Sequence, residues 1–136
     1  MLNYFLGLAA LLAAYRNLNL FLIKRKLNGE KKESLMPGAE PFFLQGKKKI
    51  GVLLIHGFTA TPDEMKELGE YMNNKGLTVY SPLLSGHGTT PEHLLKSKSN
   101  DWLIDIKKAV KLLENNCNEI YLIGNSFGGN LAFLNA

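Results

Sequence analysis

Cysteine occurs once, at Cys117, so the chain offers no internal disulfide framework and no cysteine-based zinc site. Histidine is nearly as scarce. Positions 56, 87 and 93 leave a sparse metal site arithmetically open, but their spacing matches no metal motif, and no metal is expected. A net charge of +4 would suggest an anionic partner, yet most of the chain has no basic excess. Residues 1–50 carry nine basic and three acidic side chains, whereas residues 51–136 carry seven and nine. The basic character therefore belongs to the N-terminal segment, which argues against a nucleic-acid-binding face on the remainder. Cofactor fingerprints are missing too. The segment GNSFGG lacks the G-x-G-x-x-G spacing and no P-loop lysine is present, so a phosphate-binding Rossmann-like domain and any cofactor are disfavoured. With 46% hydrophobic and 21% charged residues the composition is that of a folded chain, and 136 residues allow one domain at most. There is no internal repeat and no low-complexity tract.

The first 23 residues differ from the rest. Residues 1–15 contain no side-chain charge, Arg16, Asn17 and Asn19 interrupt, and an apolar run then reaches the cluster Lys24-Arg25-Lys26. Read as one helix, residues 2–23 hold eight Leu, two Phe and one Ile. Those apolar residues favour membrane insertion by about 3–7 kcal/mol, against about 3 kcal/mol for Arg16. Polar positions 3, 16, 17 and 19 scatter around the helical wheel, and no basic stretch precedes the apolar run. A surface-lying helix and a cleavable signal peptide therefore fit less well. The expectation is a hydrophobic helix over residues 1–23 serving as a membrane anchor, with a helix packed on the domain as the alternative. If it spans, the basic flank at 24–26 and 31–32 places the domain on the cytoplasmic side. Residues 24–36 read as a charged linker, and residues 37–136 as the domain.

Within 37–136, strand and helix signals alternate, which predicts an α/β fold with a mostly parallel sheet flanked by helices. Residues 50–55 (IGVLLI) form a continuous apolar run, as expected of a strand buried on both faces. Thr61-Pro62-Asp63-Glu64 carries three helix-start signals: a capping Thr, a first-turn Pro and a Glu at the third position. Met65, Leu68 and Met72 follow at helical spacing, with Gly76 where a C-terminal cap belongs. Residues 77–80 predict a second strand. Asn100 is placed to cap a helix whose inner face is Trp102, Ile106, Ala109, Val110 and Leu113, and residues 119–123 predict a third strand.

The chemistry gathers at two strand ends. Gly124-Asn125-Ser126-Phe127-Gly128 matches G-x-S-x-G between a buried strand and a helix, where the motif has a mechanical meaning. A sharp turn there raises the serine hydroxyl above the sheet edge, and Gly124 and Gly128 remove side chains that would clash. His56-Gly57-Phe58 follows the first buried strand, at the carboxyl end where open α/β sheets keep their ligand sites. Gly57 lets the backbone turn so that the Phe58 N–H can face the site beside the Phe127 N–H. Such a pair would bind a developing oxyanion, each donor contributing about 3–4 kcal/mol in the transition state. His56 reads as a loop-holding residue in preference to a base. Phe58, Phe127 and Phe133 suggest an apolar acyl pocket, though core packing explains Phe133 equally well.

These residues resemble the α/β-hydrolases, and more closely the bacterial carboxylesterase and monoacylglycerol-lipase group, often labelled serine aminopeptidase-like. The resemblance covers about residues 36–136. It rests on MPGAEPFFLQG, GVLLIHGFTATPDEM, SPLLSGHGTTPEHLL, NDWLIDI and YLIGNSFGGNLA, in that order. It implies Ser126 as nucleophile, Phe58 and Phe127 as oxyanion-hole amides, a small-molecule ester as substrate, and Gly86-His87-Gly88 as a loop leading toward a lid. In this group the triad runs Ser, then Asp or Glu, then His. Here no Asp, Glu or His follows Ser126, and His87 is the only other plausible base, through a non-standard arrangement with Asp63, Asp101 or Asp105. The expectation is the N-terminal half of a hydrolase, truncated after the nucleophile turn and inactive by itself. A catalytically inert membrane-tethered remnant or interaction module is the alternative.

Overall fold

The computed structural model describes residues 14–19, 22 and 35–136, and divides the chain into two compact units, residues 1–34 and 35–136. In the first unit, residues 14–19 and 22 are helical, with Tyr15, Leu18 and Leu22 exposed. Among the described residues no helix is long and apolar enough to cross a membrane. The rest of the expected helix over 1–23, and all but the last two residues of the linker over 24–36, lie outside the described residues.

The second unit is built on a four-stranded mixed sheet. Its strands are β1 (Phe42–Leu44), β2 (Ile50–Ile55), β3 (Thr78–Ser81) and β4 (Glu119–Gly124), in the order β1-β3-β2-β4. β2 runs parallel to both β3 and β4, in register Val52 to Val79 and Val52 to Tyr121, while β1 pairs antiparallel with β3. The apolar run 50–55 is the central strand, as its composition predicts, and Val52 to Ile55 are all buried. Side chains alternate across the sheet. Val52 and Leu54 join Met65 and Val79 in a cluster flanked by Phe42, Leu44, Met72, Leu77 and Ile123. The opposite face is covered by α3 (Ser99–Glu114) and α4 (Phe127–Asn135), which bury Ile106, Ala109, Leu113 and Leu131.

Three local differences from the sequence reading have physical causes. Residues 62–65 form a 3₁₀ turn and only Lys66–Asn74 is α-helical (α1); Thr61 makes no side-chain cap. The Glu64 carboxylate, expected in a capping box, is engaged elsewhere, as described below. The helix expected to be capped by Asn100 begins two residues earlier, with Lys98 at the cap position and its N–H donating to Asp101 Oδ2 at 2.9 Å. A short helix α2 (Pro91–Lys96) and strand β1 have no periodic signature: one is a six-residue turn capped by Thr90, the other a three-residue edge strand. The α1 terminus follows expectation, with Gly76 at φ +89° and its N–H bonded to Asn73 O at 2.8 Å.

Candidate active site

Two loops meet above the carboxyl ends of β2 and β4. The first follows β2: Gly57 O accepts from Ala60 N–H at 3.2 Å, closing a tight turn with Phe58 and Thr59 at its centre. Thr59 sits at φ 63°, unusual for a β-branched residue, so the turn is held in a strained shape. The second is the Gly124–Gly128 turn. Ser126 has φ 50° and ψ −112°, outside the comfortable regions for a residue with a side chain, and it stands exposed immediately before α4. Asn125 N–H donates to Ile55 O at 3.0 Å, so the second loop is tied to the end of the strand that launches the first.

The glycines around Ser126 permit this geometry through contact distance. A Cβ on Gly124 would lie 2.1 Å from the carbonyl carbon and oxygen of Gly128. One on Gly128 would lie 2.2 Å from Ile55 O and 2.7 Å from His56 O. Any side chain at either position would push α4 off the sheet.

His56 is fully buried and both its nitrogens are occupied. The Leu84 N–H can only donate, so Nε2 accepts from it at 3.2 Å, and Nδ1–H donates to Gly57 O at 2.9 Å. The ring therefore ties the first loop to the segment after β3 and has no nitrogen left for a serine proton. Burial pushes its pKa from 6.5 down to about 4, and the nearby His87 contributes in the same direction. His87 is also buried, and burial lowers its pKa. Its Nδ1–H donates to Ser85 O at 3.2 Å, leaving Nε2 without a partner among the described residues. His93 lies on α2, with Nδ1 3.1 Å from Thr89 Oγ1. The hydrogen bonds of His56 and His87 thus go to backbone groups and not to Ser126. Asp105, a conceivable triad acid by sequence, accepts instead from Ser85 N–H at 2.7 Å. Trp102, three residues earlier on α3, donates its indole N–H to Ser85 O at 2.9 Å. Helix α3 thus grips both polar backbone groups of one residue and fixes the loop that carries His87.

Four rings form the apolar side of the site. Phe58 meets Phe127 edge-on at 5.7 Å and His87 at 5.9 Å, and Trp102 meets Phe127 at 5.0 Å. Phe58 remains half exposed, so the cluster presents an aromatic face to solvent. Phe133 takes no part: it is 84% exposed on α4, neither in the core nor beside these rings. Glu64 is a residue that the sequence reading assigns only to helix initiation. Its Oε2 accepts from Gly57 N–H at 2.8 Å and its Oε1 from the Asn125 side-chain amide at 2.9 Å. The signal is hidden because the acidic residue of a capping box and one that reaches backward across the site look identical in sequence.

Comparisons with known proteins identify the family and the fold. The family model described as serine aminopeptidase, S33, matches residues 46–136. The thermostable monoacylglycerol lipase of Bacillus sp. (strain H-257) is 39% identical over 97 residues, 71% of this chain and 38% of that protein. The carboxylesterase of Bacillus subtilis (strain 168) is 36% identical over 91 residues, 66% of this chain and 37% of that protein. The chain thus spans under two fifths of the length of these relatives. A solved structure described under LipS and LipT, two metagenome-derived lipolytic enzymes, superposes with a TM-score of 0.70 at 43% identity, covering 73% of this chain and 40% of that one. Est1E from Butyrivibrio proteoclasticus, with bound ferulic acid, shares the fold at a TM-score of 0.63 and 23% identity, over 71% of this chain and 42% of that one.

Proposed function

The chain belongs to the serine aminopeptidase S33 family, in the α/β-hydrolase fold, and from that premise we propose that it carries the nucleophile and oxyanion-binding half of a carboxylic-ester hydrolase. The observation that carries the reading is the backbone of Ser126, a non-glycine residue held at φ 50° between two glycines that no side chain could replace. Strain of this kind persists only where the surroundings impose it, and it gathers at functional turns. In the proposed reaction the Ser126 hydroxyl attacks the ester carbonyl, and the Phe58 and Phe127 amides hold the oxyanion. The leaving alcohol departs with a proton, and water releases the acid from the acyl-enzyme. Neither amide donates to a partner among the described residues, so both are available to a ligand. The aromatic face of Phe58, Trp102 and Phe127 suits an apolar acyl group, in keeping with relatives named as a monoacylglycerol lipase and a carboxylesterase.

The proton acceptor is the part these residues do not supply. His56 has both nitrogens committed and His87 is buried against aromatic rings, so residues 1–136 alone are expected to be inactive. The test is a fluorophosphonate probe on two folded proteins. The chain alone is expected to show no labelling. A chimera joining residues 37–136 to the remaining portion of the Bacillus sp. lipase is expected to label, and to lose its label in Ser126→Ala. A chimera that folds by far-UV dichroism yet stays unlabelled, or one that labels equally when it carries Ser126→Ala, would refute the reading.

A further inference from the structure

Among the described residues, Glu64 is the side chain that hydrogen-bonds to both loops. Its carboxylate takes a hydrogen bond from Gly57, the residue before Phe58, and another from Asn125, the residue before Ser126. Gly57 and Asn125 stand 68 positions apart in sequence, and each immediately precedes one half of the proposed site. We infer that Glu64 is a positioning residue: its carboxylate sets the separation of the oxyanion-binding turn and the nucleophile turn. The inference rests on the proposed esterase reading for its purpose, but not for its geometry.

The chemistry favours a carboxylate at this point. Both incoming groups are N–H donors, and only an ionised carboxylate presents two acceptor oxygens at once. Charge assistance makes each bond stronger than a neutral one. The neighbouring backbone leaves little alternative. The Gly57 carbonyl is already taken by Ala60 N–H and the His56 ring, and the Asn125 backbone N–H and carbonyl by Ile55 O and Gly128 N–H. The Gly57 N–H and the Asn125 side-chain amide are the polar groups of these two residues not engaged by those bonds, and Glu64 joins them. Its place on the 3₁₀ turn after Pro62, a buried proline, holds the side chain near β2 without a role in the core.

The test exchanges the chemistry of the pair and reads amide signals of ¹⁵N-labelled chain. Asn125→Asp sets two carboxylates against each other, and is expected to raise Gly57 amide exchange at least roughly tenfold, the loss of one charge-assisted hydrogen bond. It should also shift the Phe58 and Phe127 amides. Glu64→Gln added to Asn125→Asp restores one acceptor for Gly57 and one donor–acceptor pair between the side chains. The double variant is therefore expected to return all three signals toward wild type. Glu64→Ala should disturb the same three amides while Leu53, Leu54 and Val79 keep their protection. Phe58 and Phe127 signals that ignore Glu64→Ala, or a double variant no closer to wild type than Asn125→Asp, would overturn the inference. These signals require no activity from Ser126, so a chimera that stays unlabelled, with the rescue intact, removes the esterase reading and keeps the clamp. The reverse outcome removes the clamp and keeps the esterase.

Discussion

Replacement of Gly128 by alanine is expected to destabilise the fold by more than about 3 kcal/mol, beyond the usual range for an overpacked core. The new Cβ would lie 2.2 Å from Ile55 O, 2.7 Å from His56 O and 2.8 Å from the Ile55 carbonyl carbon. Ordinary non-bonded carbon contacts are about 3.5–4.0 Å. Every opposing atom is backbone at the end of the central strand, so no side chain can swing away. Relief requires moving α4, which carries buried Leu131 and Ala132, or breaking the β2–β4 ladder at Gly124. An alanine within a helix would otherwise gain about 1 kcal/mol over glycine, so a loss can be assigned to the contact. Urea unfolding is the measurement, with Gly128→Ala set beside Ser126→Gly. The serine variant should move the other way. It removes backbone strain of about 1–3 kcal/mol and adds glycine's extra chain entropy of about 0.5–1 kcal/mol, for a net stabilisation near 1 kcal/mol. A Gly128→Ala variant as stable as wild type would mean that α4 does not approach β2 as closely as described. A Ser126→Gly variant that is less stable would mean the turn is not strained.

That contrast shows which parts of the architecture are legible in sequence. The apolar run locates β2 because burial on both faces leaves no room for polar residues. β4 is legible from its Ile and Leu residues although it stands at the sheet edge with Glu119 and Tyr121 exposed, and the two glycines of the serine turn are legible because their spacing reports a steric demand. Strand β1 is not: Phe42–Leu44 is too short for a period, and its place depends on pairing with Tyr80, which local patterning cannot encode. The site divides in the same way. Ser126, Phe58 and Phe127 can be placed from motifs at strand ends, but the polar framework cannot. Glu64, Asp105 and Trp102 act by reaching groups 7 to 61, 20 and 17 residues away, and such contacts exist only once the chain is folded. Trp102 reads as an inward apolar residue, which is half correct: its ring packs on Phe127 while its N–H holds Ser85.

Acidification from pH 7 to pH 5 is expected to lower stability by about 2 kcal/mol through His56 alone, approaching about 3 kcal/mol by pH 4. In the folded chain the imidazole is held at about 4, against 6.5 when unfolded. Between those values the unfolded state binds the proton and the folded state refuses it. The stabilising contribution is therefore complete above pH 6.5 and declines as pH falls toward 4. The structural cause is specific. Nε2 accepts the Leu84 N–H, and protonation would turn that nitrogen into a donor facing a donor, inside a fully buried pocket beside a second imidazole 5.0 Å away. His87, also lowered by burial, adds a loss of the same sign. The interval from pH 7 to 5 separates this effect from the carboxylates, most of which titrate below it. Urea midpoints at the two pH values measure the loss, and the His56 ring resonance should keep its neutral position through pH 5. A resonance titrating near 6.5, or midpoints that coincide, would show that the ring is not locked between Gly57 and Leu84. Because the same ring anchors the turn that bears Phe58, its protonation breaks the anchor of the proposed oxyanion loop while the apolar contacts of Val52, Leu54 and Val79 carry no charge to titrate. Acid should therefore disorder the Phe58 amide at a higher pH than it exposes the central strand, an order that amide exchange measured across the same range resolves.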